Sequence, residues 1–350
     1  MNHDTHQESS TKPFVSVVVP TCNRCDEIAR CLDALLRQTY PNLEVIVIDD
    51  GSSDGTPALL EGYLRQFPDG GLVCLRNESS IGANPSRNRG IRASRGTLIA
   101  FEDSDCVARP DWIEKLVAAF ASDRVGAVTG LVEDPPPRNI FELALRGTHR
   151  VAGSVFANRL VGGNMCVRRD LLRQDALDED RATPASRRDG RPDVTASGRG
   201  DEEGLFLRLR AAGHEVRVTR DAVVLHEHYY TARSFFRQAF RGGRSAARLV
   251  YKFHLRPRLD MLPFLLAYLS LPLVLWSRTL GCVPGFFFLA ALTAMTYNDL
   301  FRKQKTVSQT LRSFPVLLVY YHVRLVAYVI ETISLRIRRH DIKRVRLSGG

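Results

Sequence analysis

The chain has 350 residues, of which 44% are apolar and 25% are charged. This composition excludes a chain that is disordered throughout, and the length allows one large domain with an appendage. The formal net charge of +11 indicates an anionic partner, such as nucleic acid, a phosphorylated metabolite or a membrane surface. Of the seven cysteines, Cys22 and Cys25 form a lone C-x-x-C pair. Without a second pair we expect ordinary thiols in a reducing compartment.

Strand-like and helix-like segments alternate from residue 15 to residue 101. β-Branched and apolar runs predict strands at 15–20, 43–50, 72–77 and 97–101. Helical segments lie between them, at 26–40, 56–67 and 85–94. Alternation of this kind predicts a doubly wound α/β domain with a mostly parallel sheet.

Polar residues follow three of these strands, as PTCNR, DDGSSDGT and EDSD. The carboxyl ends of parallel strands meet at one edge of a sheet, where such sheets bind ligands. Each segment alone is also typical of a solvated turn, but three at one edge favour a binding site. Glu102, Asp103 and Asp105 stand so close together that they would raise one another's pKa unless a cation lay between them. The sequence therefore predicts a cation site after the fourth strand.

The second half of this region combines a polar segment with an acidic helix. Residues 177–200 contain few apolar side chains, and we expect a long mobile loop, which is usually functional or disordered. The next segment begins with Asp201, Glu202 and Glu203 and ends at Gly213. Acids in a first turn and a terminal glycine predict a helix.

Six basic residues then recur every three or four positions on one face of a predicted helix. We call them the basic stripe: Arg233, Arg237, Arg241, Arg244, Arg248 and Lys252. A solvated helix face normally mixes charges of both signs, whereas no acid interrupts this stripe. A stripe of one sign beside aromatic residues fits an anionic membrane surface.

Three apolar runs follow the basic stripe. The runs at 261–276 and 280–297 are each slightly shorter than the ~20 residues that cross a bilayer. Basic residues flank both, and the positive-inside rule places these flanks in the cytoplasm. We therefore predict a membrane hairpin, spanning or re-entrant; a buried helical pair in a soluble domain is the alternative. The run at 314–335 contains charged residues and precedes a basic tail, so we interpret it as interfacial.

These predictions divide the chain into four parts. A flexible tail, without the apolar segment of a signal peptide, covers residues 1–13, and the α/β domain covers 14–232. A basic amphipathic helix at the membrane surface covers 233–258. The hairpin, the interfacial helix and the basic tail cover 259–350.

Four segments, in this order, resemble the family 2 inverting glycosyltransferases, which have the GT-A fold. They are the opening at 15–56, the segment at 80–105 that ends in a D-x-D motif, VGGNMCVRRDLL at 161–172, and GDEEGLFLRLRAAGHEV at 200–216. The resemblance covers residues 15–248, and the combination is specific although each segment alone is weak. It implies a Rossmann-like GT-A domain, followed by membrane-associated helices as in many bacterial members.

In this family the D-x-D acids bind a divalent cation, Mg²⁺ or Mn²⁺, on the diphosphate of the donor. Oxygen ligands suit these ions. The resemblance implies Asp105 as the direct ligand, with Asp103 nearer the ribose and the metal, and it leaves Glu102 unassigned. His226, in the HEH segment, either completes the metal shell or is a hydrogen-bonded loop histidine.

The resemblance also implies the residues that bind the nucleotide sugar. They are Pro20, Thr21 and Asn23 for the nucleoside, Asp50 for the base with Asp49 as second choice, Arg87 and Asn88 for the sugar diphosphate, and Gly163 and Asn164 for the sugar and acceptor pocket.

An inverting transfer also needs a carboxylate that takes the proton of the acceptor hydroxyl. The family commonly shows Glu-Asp at this position, whereas this chain has GDEE. Alignment on LRLR places Glu202 in the base position and Asp201 one residue earlier. The inverted order leaves Glu202, Asp201 and Glu203 as alternatives.

The resemblance thus implies transfer of a single sugar from a nucleotide-sugar donor to a lipid-linked or cell-surface glycan acceptor. We expect the protein at the cell membrane, with the catalytic domain on the cytoplasmic face. A processive synthase would carry Q-x-x-R-W, whereas QAFRG at 238–242 lacks the tryptophan. A sugar nucleotidyltransferase would need a glycine-rich, basic signature after the first strand, which PTCNRCDE is not.

Two readings from other classes stay open. The net charge permits a nucleic-acid-binding protein, but no aromatic-interleaved recognition motif appears, so we expect no nucleic-acid partner. A catalytically silent membrane scaffold is the other alternative, although the presence of Asp103, Asp105 and Glu202 speaks against it.

Overall fold

The computed structural model describes residues 12–67, 71–147, 160–172, 177, 201–227, 229–253, 262–272 and 282–337. Eight strands in this part form one sheet: β1 Val15–Thr21, β2 Leu43–Asp49, β3 Leu72–Arg76, β4 Leu98–Glu102, β5 Cys106–Ala108, β6 Val125–Glu133, β7 Asn164–Arg168 and β8 Glu215–His226. Their spatial order is β3-β2-β1-β4-β7-β6-β8-β5. The N-terminal tail to residue 11, the polar loop at 178–200 and the basic tail after residue 337 lie outside the described residues.

Helices cover both faces of the sheet and continue beyond it. They are α1 Cys25–Leu35, α2 Thr56–Gln66, α3 Ala83–Ala93, α4 Trp112–Ala118, α5 Ile140–Leu145, α6 Asp201–Ala211, α7 Ala232–Phe253, α8 Leu262–Leu269, α9 Val283–Tyr297 and α10 Val307–Ile337. The expected α/β domain followed by C-terminal helices is confirmed.

The central strand β1 shows why the sheet has two apolar faces. All seven of its residues are buried, and it pairs in parallel with β2 and β4. Because side chains alternate along a strand, Val17 joins the core on the side of α1 with Ile28, and Val18 joins the core on the other side with Ile91 of α3. Burial on both faces explains the nearly continuous apolar runs of these strands.

The sheet is mixed, with four parallel and three antiparallel strand pairs. The antiparallel pairs place further residues at the carboxyl ends of the parallel strands. Glu102 at the end of β4 lies opposite Asn164 at the start of β7. Cys106 at the start of β5 lies opposite His226 at the end of β8. The edge predicted to bind a ligand therefore receives residues from both halves of the domain.

The C-terminal helices form a separate apolar core with α5. In this core Phe235 of α7 packs against Tyr320 of α10, with ring centroids 5.0 Å apart. Further along the same helices, Glu331 Oε2 lies 2.7 Å from Arg244 Nε, and Glu331 Oε1 lies 2.6 Å from Arg248 Nε. Burial alone would raise the pKa of Glu331, but the charges and hydrogen bonds of the two arginines hold it below its ordinary value.

This ion cluster changes the interpretation of the basic stripe. No acid interrupts the stripe along α7, but α10 supplies Glu331 from 83 residues away. Arg233 and Arg237 are exposed, whereas Arg244 and Arg248 are partly buried against the acid. Part of the stripe therefore stabilises the packing of two helices, and the arginines near the start of α7 are the ones open to a surface.

Of the helices described, α10 is the one long and apolar enough to cross a membrane. Its most apolar 18-residue stretch has a mean hydropathy of 1.5 and is 33% buried. A core helix of a soluble protein has the same length and composition, so this observation is weak evidence for a span. The helices at the two hairpin runs, α8 and α9, have 8 and 15 residues. Residues 273–281 between them lie outside the described part, and the hairpin and the interfacial helix stay predictions.

Two neighbouring glycines of α7 provide a test of the helix packing. A Cβ atom on Gly243 would overlap the carbonyl oxygen of Arg324 and lie 2.9 Å from Ala327 Cβ, whereas one on Gly242 would lie 3.7 Å from Arg324 Nε. We expect Gly243→Ala to lower the free energy of unfolding by about 2 kcal/mol through overpacking. We expect Gly242→Ala to be neutral or to stabilise the helix by up to about 1 kcal/mol. Thermal unfolding of the detergent-purified variants measures the difference, and equal melting temperatures would contradict the close contact.

Candidate functional site

The turn between β4 and β5 holds the two aspartates of the D-x-D segment. Asp105 is 6% exposed, and its Oδ2 lies 2.6 Å from Arg24 Nη1. Asp103 is more open, and its Oδ1 accepts a short hydrogen bond from Arg87 Nη2. Each aspartate therefore meets a guanidinium, and the two cations offset the repulsion between the carboxylates.

The two arginines come from different elements and are held differently. Arg24 immediately precedes α1, in the loop after β1, and its side chain is 35% exposed. Arg87 lies on α3, is 7% exposed, and also donates from Nη1 to Asn84 Oδ1 at 3.2 Å. Burial alone would lower the pKa of the Arg24 guanidinium, but the charges of Asp105 and Asp103 raise it above its ordinary value. An arginine in this setting stays charged.

The paired ends of β5 and β8 present a second set of polar atoms to Asp105. His226 Nε2 lies 3.6 Å from Asp105 Oδ1, and the ligand-capable atoms of Asp105, Cys106 and His226 all lie within 4.8 Å of one another. Burial raises the pKa of the Cys106 thiol well above its ordinary value, and the nearby acids raise it further. The Asp105 oxygen and the His226 nitrogen fit a divalent cation, and carboxylate oxygen is the donor that Mg²⁺ and Mn²⁺ prefer.

Glu102, which the sequence left unassigned, is fully buried beneath this turn. Its Oε2 lies 3.8 Å from the Cys31 thiol, and its Oε1 has no hydrogen-bond partner among the described residues. Burial raises the pKa of Glu102 well above its ordinary value, and the charges of Asp103 and Asp105 raise it further. Burial and the neighbouring acids therefore favour the neutral form of Glu102. The pKa of His226 is also raised, but for a different reason. Burial alone would lower it, whereas the hydrogen bond and the charge of Asp105 raise it above the ordinary value.

Two adjacent glycines separate the aspartate turn from the predicted base. A Cβ atom on Gly162 would overlap the carboxylate of Glu202, and one on Gly163 would lie 2.8 Å from Asp103 Oδ2. Gly163 immediately precedes β7, and Glu202 lies in the first turn of α6. The carboxylates of Glu202 and Asp103 therefore approach one glycine pair, each against one member. The side chains of the other two acids of GDEE lie outside the described part, so the three alternatives for the base are not separated.

Asp50, predicted to contact the base, is 4% exposed and organises the loop between β3 and α3. It accepts five hydrogen bonds within the chain, from Asn77 Nδ2, Ser86 Oγ and the Ile81 amide on Oδ1, and from Ser80 Oγ and the Gly82 amide on Oδ2. A contact with a base would need one of these donors to be exchanged, and it stays a prediction. Asp49, the second choice, is 2% exposed and accepts from the Ser52 amide at 3.0 Å.

The predicted nucleoside loop is tied to the loop after β2. The Asn23 amide donates to Ser52 Oγ at 2.8 Å, and Asn23 Oδ1 accepts from the Ser53 amide at 2.8 Å. Asn23 has a φ of +52°, a conformation that asparagine adopts more readily than most residues. Pro20 and Thr21 are buried at the end of β1. The two loops are thus joined at the edge of the sheet where the parallel strands end and the acids lie, which we call the acidic edge. The family resemblance implies that the nucleoside binds there.

Two other predicted residues are occupied by structural hydrogen bonds. The fully buried Asn88 side chain donates to the Leu177 carbonyl at 2.8 Å and accepts from the Leu177 amide at 3.0 Å. Asn164 is also fully buried. Its three partners lie on three segments: Trp112 Nε1, the Leu131 carbonyl and the Ala222 carbonyl. Both asparagines fix the backbone around the site, and their contact with a sugar or diphosphate stays a prediction.

The structure adds residues that the sequence reading missed, namely Arg24, Cys106 and Gly162. Arg24 had a visible signal, because it follows Asn23 at the end of the first strand, on the same edge as the acids. Cys106 follows Asp105 directly, but its approach to His226 depends on strand pairing. Gly162 adjoins the predicted Gly163, and its proximity to Glu202 depends on the position of α6.

The comparison with known sequences concerns the N-terminal part of the chain. Residues 16–156 match the family model described as Glycosyl transferase family 2. The glycosyltransferase AglE of Haloferax volcanii is 38% identical over 127 residues, which are 36% of this chain and 41% of that protein. The glycosyltransferase GlyG of Streptococcus pneumoniae is 35% identical over 117 residues, which are 33% of this chain and 38% of that protein. The match thus spans about two fifths of the length of these relatives.

A solved structure extends the comparison to the fold. The mannosyltransferase PcManGT from Pyrobaculum calidifontis, in complex with GDP-Man and Mn²⁺, aligns with a TM-score of 0.55 and 18% identity, over 95% of this chain and 89% of that chain. At this identity the similarity shows the fold alone, and it agrees with the expected GT-A architecture. The sequence match contains both aspartates of the D-x-D segment and Arg24. Residues 16–156 therefore match a family 2 glycosyltransferase domain, and the chain that contains them has the GT-A fold.

Proposed function

We propose that this protein is a membrane-associated, metal-dependent glycosyltransferase that moves one sugar from a nucleotide donor to a lipid-linked or cell-surface glycan acceptor, with inversion. The observation that carries the proposal is the position of Glu202 beside the D-x-D turn. Gly162 leaves room for the Glu202 carboxylate, and Gly163 leaves room for the Asp103 carboxylate. Glu202 is then placed to act as the base, and Asp103 lies where the donor diphosphate is expected. This arrangement fits a reaction in which the acceptor displaces the diphosphate from the sugar carbon in one step.

In this reaction Glu202 accepts the proton of the acceptor hydroxyl as the acceptor oxygen forms its bond to the anomeric carbon. The bond from that carbon to the donor diphosphate breaks at the same time, and the electron pair leaves with the nucleoside diphosphate. Attack on the face opposite the leaving group inverts the anomeric centre. The half-buried Glu202 is the residue that we assign as base.

Asp105 and His226 are the residues that would hold the divalent cation, with Asp103 beside them. Bound there, such a cation supplies charge stabilisation for the leaving diphosphate. The donor set supports this role because it contains a nearly buried carboxylate and an imidazole nitrogen within one cluster. PcManGT carries Mn²⁺ and GDP-Man in its structure, and we extend the use of a divalent cation and a nucleotide-sugar donor to this chain.

The membrane role rests on the exposed face of α10. Between Arg312 and Arg336, the exposed residues of this helix are all apolar: Pro315, Val319, Val326, Ile330 and Ile333. The ion cluster of Glu331 with two arginines of α7 lies elsewhere on the same helix. A membrane span that included Glu331 would carry this cluster into hydrocarbon, which is costly. We therefore infer that α10 lies along an anionic membrane surface with its apolar face inserted, on the cytoplasmic side.

The first test separates binding from transfer. We expect Asp105→Asn to abolish metal-dependent nucleotide binding, because it removes the charged oxygen donor. We expect Glu202→Gln to keep that binding and to lower transfer by about 10²–10⁴-fold, the usual contribution of a general base. Calorimetry with UDP, GDP, dTDP and CDP, with and without MnCl₂, measures binding. Release of nucleoside diphosphate in the presence of a membrane lipid extract measures transfer.

Glu227→Gln is the matched control for these acids, because Glu227 adjoins His226 but pairs with Arg30 Nε at 2.6 Å. It should change neither quantity by more than about threefold, as expected for an exposed ion pair. Unchanged binding in Asp105→Asn would remove the metal assignment. Full transfer by Glu202→Gln would move the base to one of the neighbouring acids, and the same test on Asp201→Asn identifies which.

The glycine pair gives a second test that leaves every charged group in place. We expect Gly162→Ala to displace the flexible carboxylate end of Glu202 and to lower transfer at least tenfold, with metal-dependent nucleotide binding retained. Gly163→Ala should instead weaken that binding, because its Cβ would press on Asp103. The two variants are compared by the calorimetric and transfer assays. Identical effects of both substitutions would contradict the separation of the two roles.

The exposed face of α10 is tested by vesicle flotation. Val319 is 48% exposed on this face, and Phe67, at the end of α2, is 37% exposed on the catalytic domain. We expect Val319→Glu to weaken binding to anionic vesicles by about tenfold, because it removes one inserted aliphatic side chain. Phe67→Glu, which adds the same charge elsewhere, should bind as the wild type does. Equal binding by both variants would exclude this face of α10 as the attachment surface.

A further inference from the structure

The two arginines that hold the D-x-D turn differ in freedom. Arg87 is 7% exposed and is bound on two sides, by Asp103 and by Asn84. Arg24 is 35% exposed, and Nη1 lies 2.6 Å from Asp105 Oδ2. It extends from the loop between β1 and α1, so it can swing towards solvent without unpacking the core. Arg24 is therefore the cation that can leave the turn.

We propose that Arg24 competes with the divalent cation for Asp105 and thereby couples binding of the cation to binding of the donor diphosphate. This inference rests on the proposed function. A guanidinium on Asp105 Oδ2 and a divalent cation on the same carboxylate would repel each other. The guanidinium cannot relieve that repulsion by losing a proton, because arginine stays charged. Occupation of Asp105 by a cation thus weakens its pairing with Arg24 and favours movement of the guanidinium away from the turn.

The displaced guanidinium then needs another anion. Its original position is at the acidic edge, between the loop predicted to hold the nucleoside and the aspartate turn. A nucleoside diphosphate brought to this edge carries the required negative charge, in a geometry that a planar guanidinium binds well. Arg24 thereby changes from a ligand of Asp105 to a ligand of the diphosphate, and Asp105 becomes available to the cation.

Exchange of partners at Arg24 has a thermodynamic consequence that can be measured. The diphosphate should raise the affinity for the cation, and the cation should raise the affinity for the diphosphate by the same factor. Without the guanidinium, the cation meets no competitor at Asp105, so it should bind more tightly in the absence of nucleotide. The nucleotide should then raise the affinity for the cation by a smaller factor than in the wild type. The arrangement would keep Asp105 paired until the donor arrives.

The experiment measures Mn²⁺ binding to the full chain in detergent, by electron paramagnetic resonance of free Mn²⁺, with and without the nucleoside diphosphate that the wild type binds. We expect Arg24→Gln to bind Mn²⁺ alone about tenfold more tightly than the wild type, and the enhancement by nucleotide to fall by a similar factor. Arg37→Gln, which removes an exposed arginine just after α1, is the matched control and should keep the wild-type values. Arg24→Lys keeps the positive charge but lacks the planar guanidinium that binds a carboxylate through two N–H groups. Its Mn²⁺ affinity should lie between those of the wild type and Arg24→Gln.

The outcomes separate the competing explanations. Mn²⁺ affinity in Arg24→Gln that is equal to or weaker than in the wild type, in a variant that melts like the wild type, overturns the inference and leaves the proposed function intact. An equal gain in Arg37→Gln also overturns it, because general charge removal would then explain the effect. Wild-type protein that binds Mn²⁺ neither alone nor with any of UDP, GDP, dTDP and CDP overturns the proposed metal dependence and this inference together. If Arg24→Gln unfolds, the Arg24→Lys value decides in the same way.

Discussion

The repulsion between two aspartates on one tight turn is the constraint on which the site depends. Asp103 and Asp105 are separated by a single residue, and the buried Glu102 beneath them has a raised pKa that favours its uncharged form. Arg24 reaches the turn from the β1–α1 loop and Arg87 from α3, and the two guanidinium groups compensate the remaining charges. The β1–α1 loop and α3 are therefore positioned by electrostatics as well as by the apolar core. A parallel sheet supplies this arrangement readily, because its strand ends deliver loops to one edge.

The sequence predicted the parts of the site that follow from chain order. Alternating strands and helices placed the acids at one edge, and the D-x-D and GDEE segments pointed to Asp105 and Glu202. Partners that depend on tertiary contacts were not visible. The sequence around Asn164 does not indicate that Trp112 Nε1 donates to its side chain at 2.8 Å. The sequence around Asp50 does not show that five donors bind its carboxylate. Motif position finds the residue, whereas burial and hydrogen bonding determine whether its polar atoms remain available.

The C-terminal helices show the same limit of sequence periodicity. Spacing along α7 correctly grouped the arginines on one helix, but it could not reveal an acid on α10. Glu331 takes Arg244 and Arg248 into the helix contact, because a carboxylate this buried needs cationic partners. An amphipathic pattern therefore has two possible partners, a membrane or another helix. Here Arg244 and Arg248 have another helix as their partner, and a membrane contact of the exposed arginines stays a prediction.

The connection between the two parts of the chain has a consequence for function. Lys305 Nζ donates to the Ala144 carbonyl of α5 at 2.9 Å and to Asp299 at 2.8 Å, and Asn139, which caps α5, donates to the Tyr230 carbonyl just before α7. These bonds fix the catalytic domain to the helices on two sides of α5. If α10 lies along a membrane as proposed, the same bonds set the distance and orientation of the Glu202 site relative to the lipid surface. An acceptor carried on a lipid would then meet the base at a fixed height, so the helix contact would contribute to the choice of acceptor without touching it.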